Sequence, residues 1–203
     1  MNVTIHKSCL QGTVQIPSSK SFVHRQLICA ALADKTTKIL LNQSSKDIEA
    51  TIHCVEQLGA TVTKETDGLV VEPMQALPEQ SDFFCNESGS TLRFMLPIAA
   101  VLGINARFSG AGRLPERPNK PLLDTMRLHG VQADKDFLPL HLQGKLHGGT
   151  YKIAGNISSQ YITGLLMALP LCSEDSAIVF TTPVESVAYL DITCHVLQQF
   201  GIT

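Results

Sequence analysis

The chain has 203 residues, 44% of them apolar and 17% charged, with a formal net charge of −2. That apolar share supplies a substantial core and excludes a disordered chain, and the lack of a clustered basic surface argues against a nucleic-acid partner. No apolar run reaches the ~18 residues of a membrane span, and the segment Met1 to Gly12 lacks the basic-then-apolar order of a signal peptide, so a cytoplasmic protein is expected.

In chain order, the first element is Val3-Thr4-Ile5, a short strand within 1–12. Thr13-Val14-Gln15-Ile16 alternates and predicts a second strand. Ser19-Lys20-Ser21 then opens an apolar helical stretch over about 20–33, and Lys38-Ile39-Leu40-Leu41 is β-rich. Ile48, Ile52, Val55 and Leu58 fall at helical spacing and end at Gly59, the pattern of a helix with a glycine C-cap. A hairpin follows, with Asp67-Gly68 as its turn.

The same series then recurs. Ser88-Gly89-Ser90 opens a helix over about 89–102, with Pro97 expected to kink or shorten it. Ala106-Arg107-Phe108 is β-rich, and a second helix ends at Gly130. Tyr151-Lys152-Ile153 reads as a strand, Ser158-Ser159-Gln160 opens a helix over about 159–170, Ala177 to Phe180 is β-rich, and a last helix ends at Gly201. Gly59, Gly130 and Gly201 are spaced 71 residues apart both times, and Ser21, Ser90 and Ser159 are spaced 69 apart. Gly12-Thr13 and Gly149-Thr150 mark the same period. Self-similarity at a fixed period signals a repeat architecture. The fold expected is α/β (α+β), a pseudo-threefold domain of βαββαβ repeats over about 13–80, 81–147 and 148–203. The third repeat is truncated before its hairpin, so its last helix lacks strands to cover its apolar face.

Six cysteines stand at 9, 29, 54, 85, 172 and 194 without a C-x-x-C pair. Cys29, Cys54 and Cys194 fall in helical apolar patterns, so the cysteines read as small buried hydrophobes in a reducing compartment. The seven histidines show no H-x-x-H or H-E-x-x-H spacing, so no metal site is expected.

Serine at a helix start satisfies orphan N–H groups, which alone accounts for one such helix. Three equivalent starts around a pseudo-threefold axis point toward one region, and helix N-termini carry partial positive charge and free donors suited to phosphate or carboxylate. Lys20, Arg25, Arg93 and Arg117 lie at or near these starts. Arginine binds oxyanions bidentately and lysine acts as a mobile point charge, so the pattern points to a ligand with several negative charges.

Five segments carry a family resemblance. Pro17-Ser18-Ser19-Lys20-Ser21 with His24-Arg25 resembles the P-G-S-K-S-x-x-x-R opening of 5-enolpyruvylshikimate-3-phosphate synthases. Glu87-Ser88-Gly89-Ser90-Thr91-Leu92-Arg93 resembles their N-A-G-T-x-x-R segment, and Pro115-Glu116-Arg117-Pro118 their E-R-P loop. Ser158-Ser159-Gln160-Tyr161-Ile162-Thr163-Gly164-Leu165-Leu166-Met167 is similar to S-S-Q-F-x-T-x-L-L-M, and Ser186 to Thr193 to S-K-P-Y-I-D-I-T. All five occur in family order.

The resemblance implies two domains of three such units with the active site in the cleft between them, this chain being the N-terminal half and residues 1–12 belonging with the absent C-terminal domain. It also implies transfer of the enolpyruvyl group of phosphoenolpyruvate to the 5-hydroxyl of shikimate 3-phosphate, in the shikimate pathway to aromatic amino acids, without metal or organic cofactor. Lys20 would be the catalytic residue of this half, bridging both substrates. Ser21 and Arg25 would hold the shikimate part, Ser158, Ser159 and Ser186 its phosphate, and Tyr189 would pack beside its ring. Gly89 and Arg117 would bind phosphoenolpyruvate, Gln160 would lie between the substrates, and Gly89 would leave room for an inhibitor such as glyphosate. Ser18 replaces the family's Gly, Glu87 its Asn, and Val187-Ala188 its Lys-Pro. The acid–base carboxylates of the family lie in its second half.

Two alternatives stand beside this. UDP-N-acetylglucosamine enolpyruvyl transferases share the fold and donor, but carry Lys-Asn at the place of Lys20-Ser21 and a loop Cys absent from Gly110 to Glu116. A non-catalytic anion-binding module that needs a complementing chain is the other.

Overall fold

The computed structural model describes residues 2–9 and 11–202. From Lys20 onward the chain reads α1 (Lys20–Leu32), β1 (Thr37–Leu40), α2 (Lys46–Gln57), β2 (Thr61–Glu65) and β3 (Gly68–Glu72). The second unit is β4 (Gln80–Phe84), α3 (Gly89–Leu102), β5 (Asn105–Ser109), α4 (Lys120–Arg127), β6 (Val131–Ala133) and β7 (Leu140–Gly144). The third is β8 (Gly149–Ile153), α5 (Ser159–Ala168), β9 (Ser176–Phe180) and α6 (Val187–Gln199).

Each unit builds its own sheet. The second is complete, with order β4-β5-β7-β6, β4 and β5 parallel and the rest antiparallel. A parallel pair needs a crossover, which α3 provides, whereas an antiparallel pair closes through a short connection. The order within a unit is therefore βαβαββ, with the hairpin after the second helix, rather than βαββαβ. The third unit has only the parallel pair β8-β9.

The first unit corrects two expectations. Residues 13–16 form no strand, and Val14 and Ile16 are 83% and 80% exposed. Alternation alone does not make a strand without a partner edge, and β1 pairs only with β3. The strand expected within 1–12 is likewise not formed in residues 2–9 or 11–12, while Met1 and Leu10 lie outside the described residues. The hairpin turn is one residue earlier than Asp67-Gly68, since Glu65 pairs with Gly68 and leaves Thr66-Asp67 as the loop. Gly68 is needed as a strand residue, because a Cβ there would lie 2.1 Å from the Ile39 carbonyl oxygen.

The helices form a ring: α1 packs on α2, α2 on α3, α3 on α5, α5 on α6 and α6 on α1. The main core lies around α3 and α5, where Phe83 and Phe108 stack at 5.0 Å between centroids and Leu92, Met95, Leu96 and Ile162 are fully buried. Each such side chain contributes about 1.5–3 kcal/mol by leaving water. A second cluster joins Val23, Leu27, Ile39, Ile48, Ile52 and Val71 beneath the first sheet. α6 buries only Thr193, Val196 and Leu197. Cys29, Cys54 and Cys85 are buried free thiols, but Cys194, expected inside, faces outward with Cys9, because nothing covers that side of α6.

Candidate active site

The serine-headed starts of α1, α3 and α5 meet. One cleft of about 430 Å³ is lined by Lys20 and Ser21 from α1, Ser90 from α3, and Ser158, Ser159 and Gln160 at the head of α5. Arg25, Ser186 and Tyr189 complete its wall. The eight residues expected around shikimate 3-phosphate therefore share one cavity. Three helix heads turned to one space give it free N–H donors and a positive field. A larger hollow of about 630 Å³ lies elsewhere, between α1, β1 and the end of α6.

The serines at the helix heads differ in capping. Ser88 accepts from the Thr91 N–H at 3.2 Å, and Ser158 from the Gln160 N–H at 3.3 Å. Ser19 and Ser186 make no side-chain cap. Ser186 holds left-handed backbone, φ 56°, which a residue with a Cβ adopts only under constraint. Such strain gathers at functional positions, and here it leaves the Ser186 hydroxyl uncommitted at the cleft wall.

Lys20 extends from the head of α1 to the head of α2, where its ammonium meets Asp47 at 2.6 Å, half exposed. Asp47 is a residue the sequence reading missed. Behind Ser45, which caps α2, it reads as a first-turn acid favoured by the helix dipole. Only the packing of α2 on α1 shows that it holds the site's lysine.

Arg25 is 3% exposed. Its Nε donates to Thr193 Oγ1 at 2.8 Å, one Nη to the Ser21 carbonyl at 2.7 Å, and the other to Thr163 Oγ1 and the Tyr189 carbonyl at 3.1 and 3.2 Å. The guanidinium thus ties α1, α5 and α6 together beneath the cleft. Burial lowers its pKa to about 10, which still leaves it charged at neutral pH. With five donors and four acceptors met, one N–H has no partner among the described residues.

On the α3 side, Gly89 sits between two guanidiniums. A Cβ built there would lie 3.3 Å from Nη1 of both Arg93 and Arg117. Gln160 bridges the gap to α5: its Oε1 accepts from Arg93 and its Nε2 donates to Ser90 Oγ at 2.9 Å. Arg93 stacks 5.3 Å over the Tyr161 ring. The sequence placed Arg93 near a helix start without giving it this partner, because the partner is 67 residues away.

Two of the three departures from the family pattern have local surroundings that can be described. Ser18 pins its segment to the loop after β1, its N–H and hydroxyl both donating to Asn42 Oδ1 at 2.8 and 2.6 Å. Glu87 lies over Gly112, whose added Cβ would sit 2.3 Å from Glu87 Oε2, and makes no ion pair among the described residues. Nothing in the structure explains Val187-Ala188.

The sequence matches the family described as EPSP synthase (3-phosphoshikimate 1-carboxyvinyltransferase) over residues 5–203. It is 46% identical to the 3-phosphoshikimate 1-carboxyvinyltransferase of Clostridium beijerinckii and 42% identical to that of Clostridium kluyveri, covering 99% and 98% of this chain and 48% of each relative. The chain thus spans about half the length of the curated relatives it matches. A solved EPSP synthase from Acinetobacter baumannii has the same fold, with TM-score 0.79 at 21% identity over 94% of this chain and 44% of that one. A family match across nearly the whole chain, joined to a repeat-built cleft of helix heads, makes this protein a member of the EPSP synthase family, corresponding to its N-terminal half.

Proposed function

We propose that this chain carries the shikimate 3-phosphate-binding half of an enzyme that moves the enolpyruvyl group of phosphoenolpyruvate to the 5-hydroxyl of that substrate, releasing phosphate. The observation that carries the reading is the convergence of three helix heads with Lys20, Arg25 and the serines on one cavity. Ser158, Ser159 and Ser186 take the 3-phosphate, Ser21 and Arg25 the carboxylate and ring, and Tyr189 flanks the ring. Gly89, Arg117 and Gln160 take phosphoenolpyruvate, and Lys20 leaves Asp47 to lie between the two substrates.

The chemistry fits. Two polyanions must be held together, and fixed cations and helix heads offset their repulsion, so positioning and electrostatics supply much of the rate. The acid–base groups come from the complementary half, with which residues 1–12 belong. By itself the chain is an anion-binding module with little or no turnover, working in the cytoplasm and without nucleic acid. The alternative acceptor, UDP-N-acetylglucosamine, is disfavoured by Ser21 and by the serine trio around the phosphate position.

Calorimetric titration with shikimate 3-phosphate tests the reading. Binding is expected, and Ser159→Ala should weaken it by about tenfold or more, as loss of a charge-assisted hydrogen bond costs about 1.5–3 kcal/mol. No binding to a chain that circular dichroism shows folded, or binding indifferent to the substitution, would overturn it.

A further inference from the structure

We propose that Arg93 is a positioning residue for Gln160, fixing the carboxamide so that its amino end, not its carbonyl, faces the bound anion. This rests on reading the cleft as an anion site. An amide side chain has two ends of nearly equal shape, and only its partners decide which way it points. Arginine has donors alone, so Arg93 Nη1 selects the carbonyl end of Gln160. The amino end then turns to Ser90, using one N–H at 2.9 Å and leaving the second for the cleft. Reversed, the amide would present lone pairs to an oxyanion and repel it.

Arg93 is itself held for this task. Its guanidinium lies over Tyr161, and its Nε is buried without a partner. Among the described residues no carboxylate comes within ion-pair distance of Arg93 or of Arg117, although both flank Gly89. Glu87, the acid nearest Arg93 in sequence, is turned onto Gly112, and Glu116, beside Arg117, pairs with Arg113. Burial, the largest cause, and the neighbouring Arg117 charge lower the Arg93 pKa, while Tyr161 raises it. A structural arginine of this kind would be expected to pair with a carboxylate. Here it grips a neutral amide at the edge of the anion cleft.

The test reads Gln160 directly. In the 203-residue chain, the side-chain amide of Gln160 should give two well-separated proton signals by ¹⁵N–¹H correlation. Arg93→Met should collapse them toward the positions of a free glutamine, and Arg93→Lys, which keeps a donor, should preserve most of the separation. Circular dichroism confirms that each variant is folded. Phosphoenolpyruvate affinity should fall about tenfold in Arg93→Met and recover in Arg93→Lys. In a Gln160→Ala background, Arg93→Met should cost at least about threefold less than in the parent, since its effect runs through that side chain. Unchanged amide signals in Arg93→Met, or losses that simply add in the double variant, would overturn the proposal. The amide signals need no ligand, so a failure of the substrate assignment cannot be mistaken for a failure of this one.

Discussion

His24 shows how a single side chain can set the chemistry of a site without touching it. Its ring is 1% exposed, with Nδ1 2.6 Å from the Thr51 hydroxyl. Thr51 lies 2.7 Å from Thr91, and Thr91 donates to Ser88 at 2.7 Å, so one chain of hydroxyls runs through α1, α2 and the head of α3. The Thr51 hydroxyl also reaches the Asp47 carbonyl, at 3.3 Å, which braces the turn that holds Lys20. Nε2 is buried without a partner, and burial lowers the pKa from 6.5 to about 4. The nearby charges are Asp47, which raises it, and Lys20 and Arg25, which lower it. Because the folded state holds fewer protons than the unfolded one between these values, the stabilising effect is complete above pH 6.5 and is lost as pH falls toward 4. The loss is on the order of 3 kcal/mol at most. Urea unfolding at pH 7.5 and pH 4.5 checks this: His24→Gln should flatten the acid side of the stability profile, while an unchanged slope would assign it to the carboxylates.

At the scale of elements, α3 carries a proline in its interior and packs it against a glycine of α5. Pro97 is expected to kink or shorten its helix, yet α3 runs its full expected length from Gly89 to Leu102. Proline has no N–H to offer the carbonyl four residues back, which is that of Arg93. Gly164 of α5 lets the two helices close beside this carbonyl: its added Cβ would lie 2.3 Å from the Arg93 carbonyl oxygen and 3.1 Å from Pro97 Cγ. The two helices therefore touch backbone to backbone beside the residue that grips Gln160. Gly164→Ala would gain up to about 1 kcal/mol in helix propensity. It would lose more to overpacking, about 1–3 kcal/mol, since neither contact is with a flexible side chain. Denaturant unfolding should show a net loss, and phosphoenolpyruvate binding should weaken with it. Equal stability in the variant would mean that α3 and α5 can separate freely. Features settled by neighbouring residues were legible in the sequence: the C-cap glycines at 59, 130 and 201, the serine-headed helices and the β-rich runs. Features settled across the chain were not. A strand at 13–16 depends on a partner edge, and the Asp47–Lys20 and Arg93–Gln160 pairs depend on which helices pack together. Only the family resemblance gave the site residues roles before the helices were placed.

For the molecule as a whole, the repeat gives a standard against which each unit can be measured. Among the described residues, the second sheet has four strands, whereas the first has three and the third two. The strand absent from the first unit is the parallel neighbour of β1, and the strands absent from the third are the antiparallel hairpin beside β9. Both gaps border hollows, of about 630 and 580 Å³, that share Ile202 at the end of α6. Val179 and Phe180 on β9 are 44% and 41% exposed, and Val187 on α6 is 51% exposed. Unpaired edges and uncovered apolar faces leave the third unit the least protected, while the cleft depends on α6 for Ser186 and Tyr189. Adding the remaining half of a clostridial relative as a separate chain should therefore have two effects. Amide exchange should slow in β9 and α6 more than in β4 and β5, whose sheet is already complete. Phosphate release from phosphoenolpyruvate in the presence of shikimate 3-phosphate should appear only with both chains present. Turnover by this chain alone at the rate of a full-length relative would show that its own residues complete the chemistry. Slower exchange without turnover would mean that the halves associate but do not complete the proposed site around Lys20.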